Sequence, residues 1–156
     1  MAARSAGILL YRVRDGEPEV LLVHPGGPFF ARKDAGVWSI PKGEYAESED
    51  PLATARREFE EELGHPAPHS GLIDLGEIKQ AGGKVVRAWA GEGDLEPSTI
   101  HSNTFSLEWP PRSGRVQEFP EVDRAQWFSF DTASEKILPP QRPLLQRLAE
   151  GLAADR

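Results

Sequence analysis

The chain has 156 residues, a length that suits a single domain, and its 38% apolar and 28% charged residues are typical of a soluble globular protein. With 25 acidic against 18 basic residues, the formal net charge is −7, which argues against general nucleic-acid binding and against an anionic membrane surface. The absence of cysteine excludes disulfides, thiolate nucleophiles and zinc–cysteine sites. The first apolar run is too short for a secretory signal or a membrane span, so we expect a cytoplasmic protein.

The first part of the chain predicts a β-hairpin followed by a loop. Residues 8–13 and 20–24 have the composition of strands, and the polar segment 14–17 between them predicts a turn. Gly and Pro at 26–28 open a loop that runs to a short apolar segment at 37–40.

The clearest helix is predicted over residues 51–63. Asp50 is a favourable N-cap, and a proline is tolerated at the first helical position, where Pro51 stands. Gly64 and Pro66 follow the last helical residue and form a normal stop signal.

The rest of the chain predicts further strands and a terminal helix. Segments 72–80 and 85–90 form one predicted strand pair, and 105–109 and 125–130 are two more predicted strands. Apolar residues at helical spacing predict a final helix over 141–153. Together these elements indicate an α/β sandwich with a mixed sheet.

The predicted 51–63 helix carries three carboxylates on one side. At about 100° per residue, Glu58, Glu61 and Glu62 fall within one arc of roughly 100°, and Arg57 lies one turn before Glu61. Like charges at these spacings cost a few tenths of a kcal/mol per pair. A solvated acidic face and a site for a hard cation such as Mg²⁺ explain the helix alone equally well. The buried stripe beside the carboxylates consists of Leu52, Ala55, Phe59 and Leu63.

The full segment 43–65, GEYAESEDPLATARREFEEELGH, resembles the Nudix box, G-x5-E-x7-R-E-U-x-E-E-x-G-U with U a bulky apolar residue. His65 departs from the pattern at its last position, where an apolar residue is usual. The box carries a net charge of −6, so it holds nearly all of the chain's acidic excess. The matching positions are Gly43, Glu49, Arg57, Glu58, Phe59, Glu61, Glu62 and Gly64.

The resemblance implies a single Nudix domain over residues 1–156, folded as an α/β/α sandwich around a mixed sheet. It also implies hydrolysis of a pyrophosphate bond in a nucleoside diphosphate linked to another group, with Mg²⁺ or Mn²⁺ as cofactor. The metal ligands implied are Glu58, Glu61 and Glu62, assisted by a backbone carbonyl near Gly43.

The remaining box residues have supporting roles in this family. Arg57 is expected to orient a ligand carboxylate, and Glu49 to support the loop or an additional metal. The general base is a box glutamate or an acid on a later loop. Glu58 is the first candidate, and Glu118 and Glu121 are later-loop candidates.

Candidate substrate contacts lie on both sides of the box. Lys42 and Arg32, with its neighbour Lys33, are candidate phosphate contacts, and Trp38 is a candidate for stacking on a base. For each of them a surface cation or a core aromatic is the simpler interpretation. Other aromatic candidates are Phe29, Phe30 and Trp109. The histidines, which lack metal-ligand spacing and are expected to be structural or surface residues, are His24, His65, His69 and His101.

Several substrate classes stay open. The lead-in WSIPKG at 38–43 is similar to that of Nudix enzymes acting on dinucleoside polyphosphates or diphosphoinositol polyphosphates. Basic residues are scattered here, which favours a dinucleoside polyphosphate or a nucleoside triphosphate over an inositol polyphosphate. An ADP-ribose hydrolase and a catalytically weak nucleotide-sensing module are alternatives. Because family members are often dimers, a homodimer is also expected.

Overall fold

A six-stranded mixed sheet forms the centre of the computed structural model, which describes residues 3–154. Its strands are β1 (Arg4–Arg14), β2 (Glu17–Pro25), β3 (Lys42–Glu44), β4 (Ile73–Lys79), β5 (Val85–Glu92) and β8 (Val122–Ser129). A separate hairpin consists of β6 (Thr104–Glu108) and β7 (Val116–Pro120). Five strands lie in the order β4–β5–β1–β2–β8, and β3 pairs with β1. The β1–β5 pair is parallel and the other pairs are antiparallel, so the mixed sheet is confirmed.

Three α-helices cover the two faces of this sheet: α1 (Pro51–Leu63), α2 (Phe130–Lys136) and α3 (Arg142–Ala154). Successive residues of β1 point to opposite faces, as the pleat of a strand requires. Ile8 and Leu10 pack in the apolar layer under α1, whereas Leu9 and Tyr11 pack in the layer under α2 and α3. The predicted α/β/α sandwich is therefore the observed fold.

The predicted β1–β2 hairpin is present, with longer strands than the sequence indicates. Its turn consists of Asp15 and Gly16, with φ of 53° and 80°. A two-residue hairpin turn of this kind needs positive φ at both positions, which Asp and Gly tolerate. The observed α1 has the predicted bounds.

Three elements were not predicted. The seven-residue α2 is too short and polar for helical periodicity, and it begins where Ser129 accepts a hydrogen bond from the Thr132 amide. The three-residue β3 exists because it pairs with β1, and β7 because it pairs with β6. The apolar segment 37–40 forms isolated bridges instead of a strand. Among residues 3–154, no helix is long and apolar enough to cross a membrane.

Candidate active site

The α1 helix is fixed at both ends by its caps. The Asp50 carboxylate accepts a hydrogen bond from the Ala53 amide at 2.9 Å. Gly64 adopts the left-handed conformation with φ of 71°, and its amide donates to the Glu60 carbonyl. The caps fix where the helix begins and ends, and its apolar stripe places Phe59 in the core with the acidic residues beside it.

Glu62 is the most buried of the α1 carboxylates, with 8% of its surface exposed. Its Oε2 accepts a hydrogen bond from the Lys42 amide at 3.1 Å. Burial, followed by the neighbouring charge of Glu58, raises the pKa of Glu62 to about 9. Burial likewise lowers the pKa of the Lys42 ammonium group. Burial therefore disfavours the charged forms of both Glu62 and Lys42. A bound cation would stabilise the carboxylate, and a bound anion would stabilise the ammonium group.

Glu58 lies directly against Gly43, the first residue of the box. A Cβ atom at position 43 would lie 2.1 Å from the Glu58 Cδ, so a side chain there would displace the carboxylate. Burial, with a contribution from Glu61, raises the pKa of Glu58. The glycine is thus required for the close approach of β3 to α1.

Arg57 contacts three box carboxylates. Its guanidinium nitrogens lie 3.4 Å from Glu49, 3.5 Å from Glu58 and 3.6 Å from Glu61. Glu49 also accepts a hydrogen bond from the Ala46 amide at 2.8 Å, and this bond and Arg57 together lower the pKa of Glu49. Arg57 therefore joins the loop before α1 to the acidic face of the helix.

The three predicted metal ligands are not equivalent in this structure. The Glu61 side chain is 41% exposed and contacts Arg57, whereas Glu58 and Glu62 are more buried. Within residues 3–154, no group of three or more His, Cys, Asp or Glu side chains is arranged so that it could hold a metal ion. The oxygen donors of Glu58 and Glu62 have the hardness that Mg²⁺ or Mn²⁺ requires, so the donor chemistry fits a divalent cation.

Glu121 joins this site from outside the box. Its charge raises the pKa of both Glu58 and Glu62, although it is not the largest cause for either. Its amide donates to the Asn103 carbonyl at 2.9 Å, and its carbonyl accepts from the Gly26 amide at 3.0 Å. Of the two later-loop acids, the structure places Glu121 beside the box.

Glu118 lies elsewhere, on the exposed strand β7. It is opposite Ser106 in the β6–β7 ladder. Glu121 lies between β7 and β8, beyond the end of this ladder, so the two acids have different surroundings although they are close in the sequence. Only the tertiary contacts of residues 101–121 distinguish them.

A cleft with a cavity volume of about 230 Å³ opens between the carboxylates of Glu62 and Glu121 and the 26–37 loop. Lys42, Glu62 and Glu121 line its polar side, and Phe30 and Val37 line part of its apolar side. An anionic group with an apolar or aromatic attachment is the kind of ligand that such a lining accommodates.

Two of the predicted substrate contacts, Trp38 and Arg32, differ in solvent exposure, and neither lines the cleft. Trp38 is 1% exposed, and its Nε1 donates to the Asp34 carboxylate at 2.8 Å. The prediction that this ring stacks on a base is wrong, because it packs edge-on against His24 and Phe128 in the core. Arg32 is exposed on the 26–37 loop, outside the cleft lining.

The exposed aromatic rings of Phe29 and Phe30 belong to the 26–37 loop. Phe29 is 58% exposed and meets Trp109 edge-to-face, with ring centroids 5.3 Å apart. Phe30 is 36% exposed and lines the cleft itself. These rings, and not Trp38, have surface available for a ligand.

Comparisons with known proteins agree with the box. The NUDIX domain family model matches residues 1–148. A curated octanoyltransferase of Myxococcus xanthus is 29% identical over 134 residues, which cover 86% of this chain and 33% of that protein. The chain thus spans about a third of that relative's length.

Among solved structures, a C. elegans Ap4A hydrolase binary complex has a TM-score of 0.64 and 23% identity, covering 98% of this chain and 99% of that one. The NUDIX domain of Shewanella oneidensis NrtR, complexed with ADP ribose, has a TM-score of 0.65 and 18% identity, covering 97% and 89%. These similarities show the shared fold.

The family model and the arrangement of the box lead to the same assignment. The matched region contains both the sandwich and the cleft. Every glutamate of the box pattern is present on α1 or the loop before it. The chain therefore belongs to the Nudix family and has the complete glutamate set of a Nudix pyrophosphohydrolase.

Proposed function

We propose that this protein hydrolyses a pyrophosphate bond in a nucleoside diphosphate linked to another group, with a divalent cation as cofactor. The substrate class that we favour is a dinucleoside polyphosphate or a nucleoside triphosphate. The observation that supports this proposal best is that Lys42, Glu62 and Glu121 line one cleft, with the charge of Glu58 acting on Glu62. Carboxylates beside a buried ammonium group suit a metal-bound phosphate better than a neutral ligand.

The cofactor proposed is Mg²⁺ or Mn²⁺, held by Glu58 and Glu62, with Glu61 and the Gly43 carbonyl as further predicted ligands. When bound, such an ion screens phosphate charge and lowers the pKa of a coordinated water. The raised pKa of Glu62 supports the assignment, because a buried carboxylate beside Glu58 has too little neutralising charge within the protein.

The side chains of this protein have separable roles in the proposed reaction. Water attacks a phosphorus atom, a new P–O bond forms, and the bond to the bridging oxygen breaks, so that two phosphate products leave. Lys42 lines the cleft and binds a phosphate oxygen. Glu58 accepts the water proton, for which burial and its raised pKa suit it, and Glu121 is the second candidate for this step. Arg57 and Glu49 act by positioning the box.

The dimensions and charge of the cleft support a nucleotide. A cavity of about 230 Å³ is below the roughly 300–1,000 Å³ of typical ligand pockets. The phosphates would therefore occupy the cleft, and the base would lie outside it against Phe30 or the Phe29–Trp109 pair. Among the described residues that line the cleft, Lys42 is the one cation, which disfavours an inositol polyphosphate.

A catalytically weak sensing module is the alternative that one observation favours. Glu61 contacts Arg57, and residues 3–154 contain no carboxylate group already arranged for a metal ion. A domain with this arrangement would bind a nucleotide without efficient turnover. ADP-ribose and diphosphoinositol polyphosphates are the alternative substrates for an active enzyme.

A substrate panel separates these functions. Purified protein is incubated with diadenosine tetraphosphate, ATP, ADP-ribose or a diphosphoinositol polyphosphate, each with Mg²⁺, Mn²⁺ or a chelator, and the products are measured by chromatography. We expect product from a nucleotide polyphosphate only when a divalent cation is present. Nucleotide binding without product would favour the sensing module.

The carboxylate assignment is tested in the same assay. Glu61→Gln should lower turnover at least about tenfold at a fixed Mg²⁺ concentration, because one predicted ligand loses its charge. Glu60→Gln, a change at the adjacent exposed glutamate, is the matched control and should leave turnover within about twofold. Unchanged turnover in Glu61→Gln would contradict the ligand set.

A further inference from the structure

His24 is a fully buried polar side chain outside the carboxylate site, with 0% of its surface exposed. It lies on β2. Its Nε2 is 2.7 Å from the Lys33 carbonyl oxygen, and its Nδ1 is 2.8 Å from the Asp123 carboxylate. The ring therefore connects the 26–37 loop to strand β8.

Both partners of the ring are acceptors. The Lys33 carbonyl belongs to the backbone of the loop, and the Asp123 carboxylate belongs to β8. Because a buried polar side chain that lost one of these partners would leave a polar atom unsatisfied, both contacts stabilise the position of the ring.

Asp123 reaches the ring because β8 contains a β-bulge. The β2–β8 register passes from His24 opposite Arg124 to Pro25 opposite Val122, which leaves Asp123 as the extra residue. A bulge redirects a side chain that regular alternation would point elsewhere. Arg124 adds a second, longer contact to the same carboxylate, at 4.0 Å.

The 26–37 loop, to which His24 is bonded, forms part of the cleft wall. The Lys33 amide donates to the Phe30 carbonyl at 3.0 Å, so residues 30–33 form a turn. The bond between His24 and the Lys33 carbonyl ties that turn to β2. Phe30, at the start of the turn, lines the cleft together with Lys42 and Glu62.

We propose that His24 and Asp123 are positioning residues that hold the 30–33 turn, and with it Phe30, against the cleft. The proposal rests on the proposed function, since it concerns affinity for the nucleotide. Glu121 has backbone hydrogen bonds of its own, to Asn103 and Gly26, which do not involve the His24 ring. Loss of the His24–Asp123 pair should therefore weaken binding and leave the chemical step almost unchanged.

Asp123→Asn is the informative variant, because it keeps the size of the side chain and removes its charge. We expect KM for the best nucleotide of the panel to rise about fivefold, with kcat within about twofold of the unchanged protein. Asp74→Asn is the matched control. Asp74 is also an ion-paired aspartate beside a β-bulge, on β4 with Arg87, and its loss should leave KM within about twofold. An unchanged KM in Asp123→Asn, or a fall in kcat alone, would overturn the proposal.

A second measurement does not depend on turnover. In hydrogen-exchange NMR of ¹⁵N-labelled protein, Asp123→Asn should speed amide exchange over residues 30–33, and the control Asp74→Asn should leave it unchanged. Unchanged exchange over residues 30–33, or exchange that is faster to the same extent throughout the protein, would overturn the proposal. If no nucleotide is hydrolysed, the proposed function fails, and calorimetric binding of the same nucleotide replaces KM.

Discussion

The two walls of the cleft are built in different ways. The inner wall comes from one continuous segment, with Lys42 of β3 and Glu62 of α1 lining the cleft and Gly43 and Glu58 beside them. The outer wall joins parts that are far apart in the chain, the 26–37 loop and Glu121 after β7. Local helical spacing therefore determines the inner wall, whereas tertiary hydrogen bonds determine the outer one.

Burial also differs within the inner wall. Glu61 and Glu62 are neighbours on α1, yet the Glu61 side chain is 41% exposed and Glu62 is 8% exposed. Burial raises the pKa of Glu62 to about 9. The difference shows that identical residues in one motif acquire distinct chemistry from the elements packed against them, here β3 and its Lys42 amide.

The largest expected effect is on the inner wall, at Glu58. Glu58→Gln should lower kcat about a hundredfold or more, because it removes the proposed base and a charged metal ligand together. The measurement is nucleotide turnover at saturating Mg²⁺, with circular dichroism to confirm the fold. Activity within tenfold of the unchanged protein would assign the proton transfer to the outer wall.

The inner wall could be predicted from sequence because each of its signals is local. Asp50, Pro51 and Gly64 mark the ends of α1, and the 3.6-residue period places the carboxylates beside the apolar stripe. The sequence does not predict that Gly43 contacts Glu58, because this contact is tertiary. It does contain the glycine that the contact requires.

The outer wall could not be predicted to the same extent. In the sequence Trp38 is both a candidate for stacking and a candidate for the core, and only the structure shows that residues on β2 and β8 enclose it. Glu118 and Glu121 are equivalent as sequence candidates, and only the bonds of Glu121 to Asn103 and Gly26 distinguish them. The short helix α2 was missed because seven residues contain too few turns to show a period.

Glu121 tests whether the outer wall takes part in the chemistry. Glu121→Gln should lower kcat about tenfold, a smaller effect than at Glu58, because it removes one of the negative charges facing the buried pair. Glu118→Gln, on the exposed strand β7, is the control and should change kcat by less than about twofold. Equal effects of the two substitutions on kcat would show that Glu121 does not take part in the chemical step.

The smallest expected effect is on the pH dependence of the free energy of unfolding. It distinguishes Glu62 on the inner wall from Glu121 on the outer wall. Because Glu62 has a folded-state pKa of about 9, above its ordinary value, unfolding releases its proton between about pH 5 and 9. In metal-free protein its contribution to the free energy of unfolding therefore falls as the pH rises through this window. Glu62→Gln should remove this slope, by at least about 1.4 kcal/mol between pH 5 and 9, as measured by urea denaturation. Glu121→Gln should leave most of this pH dependence in place, because burial is the first cause of the raised Glu62 pKa. An equal loss in both variants would instead assign the effect to charge repulsion across the cleft.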